Sequence, residues 1–158
     1  MPERGLGLMI AGTVVVLDQV SKWAAEQWLA GRSLRVFDWF DLQLAYNKGA
    51  AFSFLSQAGG WQRWFFIAVA SVAILVILAW LRRLGPGERP TAMALGLILG
   101  GALGNLIDRV LWGHVIDFIV WHYRHWYWPA FNVADSAISV GAVLLILAGF
   151  RPQPGHRE

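Results

Sequence analysis

Four apolar runs of near-membrane length constrain the fold of this chain more than any other feature. Residues 64–81, 91–107 and 136–150 carry no charged side chain. A further apolar run starts at residue 6 and continues to about residue 29, interrupted by charged residues at four-residue spacing. A helix that crosses a bilayer needs about 20 mostly apolar residues. We therefore predict an integral membrane protein, an all-α bundle of four transmembrane helices over about 6–29, 64–81, 91–109 and 133–150.

The composition agrees with a membrane protein and excludes several other classes. Hydrophobic residues make up 57% of the chain and charged residues 15%, whereas soluble domains contain about 45–50% and about 25%. A net charge of +3 is too small and too scattered for a polyanion-binding surface, so we expect no nucleic-acid partner. The absence of cysteine excludes disulfides, thiolate metal sites and a cysteine nucleophile. The length of 158 residues predicts one domain, 1–158.

Positive charge is concentrated in the two tails and in the 82–90 loop. These segments hold six arginines and three glutamates, whereas the rest of the chain holds seven basic and seven acidic residues. Because cytoplasmic segments are enriched in Lys and Arg, we predict that both termini and the 82–90 loop are cytoplasmic. The connections at 31–62 and 108–132 then face outward.

Both outward connections are rich in aromatic and β-branched residues. Residues 34–46 alternate imperfectly between apolar and polar, which predicts a strand and a small extracytoplasmic β platform over about 34–58. Residues 121–131 combine Trp, Tyr and Phe with two His and one Arg. Such a mixture is typical of the membrane–water interface, so we expect an amphipathic belt there.

Several acids lie inside or at the edge of the predicted spans, where ionisable groups are costly and usually functional. Asp18 and Lys22 have the i, i+4 spacing of a helical ion pair, which fits either a self-neutralised structural pair or a substrate or lipid contact. Asp108 continues a row of small residues that predicts close helix packing, and either an interfacial helix end or a binding role fits it. The row consists of Ala92, Gly96, Gly100 and Gly104.

Two further acids have no cation nearby in the sequence. Asp117 lies in the apolar run VIDFIV, where a solvated acid at a strand edge is one interpretation. Asp135 follows Asn132 by three residues, which is the spacing of a helix capping box. Alternatively, two carboxylates a few ångströms apart would share one proton, as in aspartic proteases. The spacing alone does not favour the Asp117–Asp135 pair over pairs that include Asp108.

Other functions fit the sequence less well. The four histidines form no H-E-x-x-H motif, and we expect no metal and no cofactor. A small transporter would have a repeated pattern and polar residues through its span centres, which the second and fourth runs lack. A non-catalytic subunit that assembles through the glycine row would not need two unpaired acids.

Five motifs occur along the chain in a fixed order. They are DQVSK at 18–22, YNKGAAFSF at 46–54, GGALGNLIDR at 100–109, GHVIDF at 113–118 and FNVADSAI at 131–138. Together they resemble the motifs of the bacterial lipoprotein signal peptidases, the signal peptidase II family. The resemblance extends from the first predicted helix to the fourth.

The resemblance implies a membrane-embedded aspartic endopeptidase that removes the signal peptide from prolipoproteins. Its substrate would be a lipobox signal peptide followed by a diacylglyceryl-modified Cys, cut on the amino side of that Cys. The enzyme would lie in the bacterial inner membrane, in contact with membrane lipids, with its active site toward the outer leaflet. It would be a target of the cyclic peptide globomycin, and we expect a monomer.

The resemblance also implies a role for individual residues. The catalytic pair falls on Asp117 and Asp135. Site-supporting residues fall on Asp18, Lys22 and Asp108. Substrate-binding groups fall on Asn47, Gly49, Asn105, Arg109 and Asn132.

Overall fold

Four helices and a four-stranded antiparallel sheet make up the computed structural model, which describes residues 1–49 and 59–150. The helices are α1 (Glu3–Leu29), α2 (Trp61–Arg83), α3 (Arg89–Leu111) and α4 (Val133–Gly149). The strands are β1 (Ser33–Phe37), β2 (Phe40–Asn47), β3 (Val115–Tyr123) and β4 (Trp126–Tyr127), in the sheet order β1–β2–β3–β4.

A helix occupies each of the four predicted spans. Within the described residues, α1, α2 and α3 are long and apolar enough to cross a membrane, and α4 is an apolar helix of 17 residues. Large apolar side chains cover the outer faces of the bundle, and Val16, Leu75 and Ile146 are each more than 60% exposed. Exposed apolar surface of this extent marks contact with another apolar phase, so these faces suit lipid.

The sheet is larger than the sequence predicts. Residues 34–46, expected as one strand, belong to a hairpin of β1 and β2 that turns at Asp38 and Trp39. Part of the expected amphipathic belt at 121–131 pairs instead as β3 and β4. The prediction of a helix bundle with a small β platform agrees with the structure, and the sheet differs from the prediction in that strands from both long connections pair in it. Residues 50–58 of that platform lie outside the described part of the chain.

Helix α3 lies at the centre of the bundle and contacts each of the other three helices. Its row of small residues is buried, as predicted. A Cβ added to Gly96 would lie 2.5 Å from the carbonyl oxygen of Gly7, and one added to Gly100 would lie 2.6 Å from Cβ of Val14. The predicted close packing of α3 is thus confirmed, and its partner along this row is α1.

Helices α1 and α3 run parallel, since Gly7 meets Gly96 and Asp18 meets Gly104 further along both helices. At their amino-terminal end, Glu3 Oε1 accepts a hydrogen bond from the N–H of Gly87 in the α2–α3 turn, at 2.9 Å. The sheet follows the carboxyl-terminal ends of both helices. The α2–α3 turn and the sheet therefore lie at opposite ends of the bundle.

Replacing Gly100 by Ala tests the packing of α1 on α3. The added Cβ would lie 2.6 Å from Val14 Cβ and 2.7 Å from the carbonyl oxygen of Ala11, so the helices would have to separate. We expect Gly100→Ala to lower the free energy of unfolding by about 1–3 kcal/mol, measured by denaturation in detergent. Gly12→Ala is the matched control, because nothing lies within 4 Å of its Cβ position. It should be neutral or stabilising. An equal loss of stability in both variants would contradict the close packing of α1 on α3.

Candidate active site

Three charged side chains are enclosed between α1 and α3, and each is at most 1% exposed. Lys22 Nζ lies 2.7 Å from Asp18 Oδ2 and 2.9 Å from Asp108 Oδ2. The predicted Asp18–Lys22 pair is therefore present, and Asp108 completes it as an ion cluster. We refer to Asp18, Lys22 and Asp108 as the ion cluster below.

Gln19 also belongs to this region, although it is not among the residues singled out from the sequence. Its Nε2 donates to Asp108 Oδ1 at 2.9 Å and to the carbonyl oxygen of Gly104 at 3.2 Å. The one available signal was its position inside the DQVSK motif at 18–22. Gln19 thereby satisfies the second oxygen of a buried carboxylate.

Two asparagines connect the ion cluster to the remaining acids. Lys22 Nζ donates to Oδ1 of Asn105 at 3.1 Å, and Nδ2 of Asn105 donates to Asp135 Oδ1 at 2.8 Å. Nδ2 of Asn132 donates to Asn105 Oδ1 at 3.1 Å and to Asp117 Oδ1 at 2.8 Å. One continuous hydrogen-bond network therefore reaches from Lys22 to both Asp117 and Asp135.

The amino-terminal end of α4 holds Asp135 in a capping box, as its spacing predicted. Asn132 Oδ1 accepts from the backbone N–H of Asp135 at 2.9 Å, and Asp135 Oδ2 accepts from the N–H of Asn132 at 3.2 Å. The other oxygen of Asp135 faces Asn105. The capping role and a role in a shared site therefore coexist in one carboxylate.

Strand β3 positions Asp117 opposite Ala45 of β2, and only 2% of Asp117 is exposed. The interpretation of Asp117 as a solvated acid at a strand edge is therefore wrong. Asn47, two residues beyond Ala45, brings its Nδ2 to 3.4 Å from Asp117 Oδ2. Burial, followed by the negative charge of Asp135, raises the pKa of Asp117 to about 7. The bond from Asn47 and the charge of Lys22 oppose this rise but do not cancel it.

Arg109 connects the end of α3 to the segment after β2. Its Nη2 donates to the carbonyl oxygen of Gly49 at 3.1 Å, and its guanidinium lies 5.2 Å from the centre of the Phe66 ring. The N–H of Gly49 donates to Asn47 Oδ1 at 2.9 Å. Residues 50–54 of the YNKGAAFSF motif lie outside the described part of the chain. Arg109 therefore binds the carbonyl group of Gly49, and Asn47 binds its N–H group.

Arg63 of α2 was not anticipated from the sequence, where it precedes an apolar run without any motif. Its Nε donates to the carbonyl oxygen of Arg109 at 2.9 Å, and its Nη2 donates to that of Val110 at 2.8 Å. These carbonyls belong to the last turn of α3, where a cation is favourable. Arg63 thereby anchors the turn that carries Arg109.

Both acids line one cavity of about 620 Å³. Of the residues singled out from the sequence, the cavity brings together Asn47, Asn105, Arg109, Asp117 and Asp135. Much of the remaining lining is apolar and includes Val115, Trp121, Trp128, Phe131, Ile138 and Val140. The ion cluster and Asn132 are buried behind this lining. Two acids, two amides and a guanidinium in an apolar cavity suit proton transfer to and from a bound peptide group.

Comparison with known proteins gives the same assignment. The model of the family described as "Signal peptidase (SPase) II" matches residues 10–151. The chain belongs to the signal peptidase II family. This confirms the resemblance inferred from the five motifs. Enzymes of this family are membrane-embedded aspartic proteases that cleave lipoprotein signal peptides, and this chain is such an enzyme.

Relatives and solved structures cover nearly the whole chain. The lipoprotein signal peptidase of Paraburkholderia phytofirmans is 55% identical over 151 residues, which are 95% of this chain and 87% of the relative. That of Pseudomonas syringae pv. tomato is 52% identical over 147 residues, 91% and 85% of the two chains. A bacterial membrane enzyme structure, determined by the in meso method at 2.3 Å resolution, superposes with a TM-score of 0.82. It is 30% identical, and the superposition covers 98% of this chain and 95% of that one.

The raised pKa of Asp117 predicts a pH-dependent stability. Because the pKa is about 7 in the folded protein and the ordinary value is 3.8, the folded state binds more protons between these limits. Stability should therefore fall as the pH rises from 4 to 8. We expect Asp117→Asn to melt above wild type by about 2–4 °C or more at pH 8, with a smaller difference at pH 5, in thermal melts in detergent.

Asp38→Asn is the control for this experiment, because Asp38 is exposed in the β1–β2 turn. Its melting temperature should follow that of wild type at every pH. A difference between Asp117→Asn and wild type that stays constant with pH would contradict the raised pKa.

Proposed function

We propose that this chain cleaves diacylglyceryl-modified prolipoproteins on the amino side of the lipidated Cys, with Asp117 and Asp135 as its catalytic pair. The observation that carries this proposal is the arrangement of the two carboxylates. They line the same cavity, and Asn105 and Asn132 connect them through hydrogen bonds. Two acids held in this way share one proton, so that one acts as base while the other acts as acid.

We assign the shared proton to Asp117 in the resting enzyme. Its burial beside Asp135 raises its pKa to about 7, so it holds a proton below that pH. The carboxylate of Asp135 accepts bonds from Asn105 and from the N–H of Asn132, at the amino-terminal end of α4. Both features offset part of the penalty that burial imposes on an ionised Asp135. Asp135 is therefore the base in the first step, and Asp117 is the acid.

In the proposed reaction, every proton moves between the two carboxyls, one water molecule and the substrate. Asp135 takes a proton from water while the water oxygen forms a bond to the scissile carbonyl carbon, and Asp117 gives its proton to the carbonyl oxygen. In the second step the carbon–nitrogen bond breaks, the leaving amine takes the proton held by Asp135, and the hydroxyl of the intermediate returns a proton to Asp117. Each carboxyl thus ends the cycle in its starting state.

Substrate binding uses the polar groups around the pair. A signal peptide that crosses the membrane is helical, and its scissile bond has to leave the helix before water attacks it. Asn47 and Arg109 line the cavity and supply donors that replace the hydrogen bonds lost on unwinding. Exposing the acyl chains of the lipidated Cys to water would cost about 0.8 kcal/mol per CH₂ group. Cleavage within the membrane avoids that cost. The apolar lining of the cavity suits a reaction in that environment.

The membrane arrangement we propose has four spans, with both termini and the 82–90 loop in the cytoplasm of a bacterial inner membrane. The sheet and the catalytic pair then lie toward the outer leaflet, where a lipobox segment reaches them. The contact of Glu3 with Gly87 supports this arrangement, because it keeps the amino terminus and the α2–α3 turn at one end of the bundle. We also propose that the enzyme acts as a monomer.

Substituting each acid tests the catalytic pair. Asn has nearly the shape of Asp but neither accepts the proton from water nor donates one as an acid. We expect Asp117→Asn and Asp135→Asn each to abolish cleavage of a diacylglyceryl-modified prolipoprotein in a gel-shift assay. The double variant should be no worse than either single variant, because residues that act as a unit are not additive.

Two controls accompany the test. Both catalytic variants should still bind globomycin, which separates loss of chemistry from loss of fold. Asp108→Asn, in the ion cluster, should keep part of the activity. Substantial turnover by Asp135→Asn would mean that Asp135 is only a helix cap, and the aspartyl mechanism proposed here would be wrong.

Cysteine labelling tests the membrane arrangement. The chain contains no cysteine, so single substitutions report on one site each. Pro86, in the α2–α3 turn, and Asp38, in the β1–β2 turn, are both exposed. In intact cells an impermeant maleimide should label Asp38→Cys and leave Pro86→Cys unlabelled until the cells are lysed. The reverse pattern would invert the proposed topology.

A further inference from the structure

The ion cluster reaches the backbone next to each of the two catalytic acids. Asp18 Oδ1 accepts the N–H of Ala134, the residue before Asp135, at 2.9 Å. Asp108 Oδ2 accepts the N–H of Ile116, the residue before Asp117, at 3.0 Å. In both cases a buried carboxylate from α1 or α3 holds the peptide group that comes directly before an acid of the cavity.

Lys22 joins these two anchors. Its ammonium lies 2.7 Å from Asp18 and 2.9 Å from Asp108, and all three side chains are almost completely buried. The strand that carries Asp117 and the helix that carries Asp135 are therefore tied to one cation on α1. Without that cation the two carboxylates would repel each other across a region of low dielectric constant.

The same cation determines which way the amide of Asn105 points. Asn105 Oδ1 accepts from Lys22 and from Asn132, which leaves Nδ2 to donate to Asp135. In the opposite orientation the amide NH₂ would face the ammonium, and the amide oxygen would face the Asp135 carboxylate. Both contacts would be repulsive, so the charge of Lys22 selects the orientation that binds the catalytic acid.

We infer that Lys22 is a positioning residue for catalysis, which sets the separation of Asp117 and Asp135 through two backbone anchors and orients the Asn105 donor. This inference rests on the proposed catalytic pair. Lys22 lies behind the cavity lining and acts through other groups, not on the substrate. The competing explanation is that Lys22 only neutralises two buried acids so that the bundle folds.

The two explanations differ in the kinetics of the folded fraction. If Lys22 serves folding alone, each correctly folded molecule of a variant turns over at the wild-type rate. If Lys22 positions the pair, kcat per folded molecule falls, because small misplacements of catalytic groups cost up to about 100-fold in rate. KM should change little, since Asn47 and Arg109, the proposed substrate-binding donors of the cavity lining, make no contact with Lys22 and remain in place.

The experiment compares Lys22→Met, Lys22→Arg and Arg4→Met in the full chain, with a diacylglyceryl-modified prolipoprotein as substrate. Folded enzyme is counted by globomycin binding. Arg4→Met is the matched control, because it removes one positive charge from an exposed position on the same helix. We expect Lys22→Met to lose about 10–100-fold in kcat with KM within about threefold of wild type, and Arg4→Met to match wild type.

A pH profile adds a readout that a purely structural role would not move. Asp117 faces the charges of Lys22 from α1, Arg109 from α3 and Asp135 from α4, and Lys22 lowers its pKa. Removing Lys22 should therefore shift the basic limb of the kcat profile to higher pH. Lys22→Arg keeps the charge, so its basic limb should stay at the wild-type pH while kcat still falls, because the guanidinium is larger than the ammonium.

A double variant covers the case in which Lys22→Met does not fold. Lys22→Met/Asp108→Asn removes one charge of each sign and so keeps the net charge of the ion cluster, and Asp108→Asn alone is its reference. We expect the double variant to have at least a tenfold lower kcat than Asp108→Asn, at similar KM. Wild-type kcat per folded molecule in Lys22→Met would overturn the inference, and so would failure of both Lys22→Met variants to fold beside a folded Asp108→Asn. Loss of the proposed function itself is a separate result, since wild type and Arg4→Met would then also fail to cleave the prolipoprotein.

Discussion

Between α1 and α3 the bundle encloses the ammonium group of Lys22 together with the carboxylates of Asp18 and Asp108. Removing such charges from water costs several kcal/mol for each ion, even after the protein relaxes. Short ion pairs and hydrogen bonds to the remaining carboxylate oxygens offset that cost. The glycine row makes the arrangement possible, because a Cβ on Gly104 would collide with the Asp18 carboxylate. The close packing of α1 on α3 and the burial of the ion cluster therefore depend on the same glycine row.

The proposed catalytic pair lies on two elements that the buried cluster contacts. The sheet brings Asp117 beside Asn47, and the start of α4 brings Asp135 beside Asn105. Neither the sheet nor the helix cap alone determines the spatial relation between the two acids. That relation comes from elements that meet around α1 and α3, including the backbone bonds to Asp18 and Asp108. A densely bonded interior of this kind suits an enzyme that acts on prolipoproteins in the membrane.

The active site combines apolar surroundings with a few strong donors. Burial raises the pKa of Asp117 to about 7, which keeps a carboxyl protonated near neutral pH. Burying this carboxyl beside a second acid lowers the stability of the folded protein, as is common at functional sites. The amides of Asn105 and Asn132 limit the cost, because each donates to one of the acids. The two acids therefore retain a proton near neutral pH while each buried carboxyl still accepts a hydrogen bond.

Local patterns in the sequence were sufficient for the helices, the glycine row, the Asp18–Lys22 pair and the Asn132–Asp135 capping box, because each depends on residues within a few positions of one another. The pairing of Ala45 with Asp117, the bond from Lys22 to Asn105 and the bond from Arg109 to Gly49 join residues 60 to 83 positions apart. No periodicity encodes contacts of that kind, so the residues alone left the partner of Asp117 open. Only the tertiary structure decided that both long connections form one sheet and that Asp117 and Asp135 share a cavity, because packing around α3 brings these distant segments together.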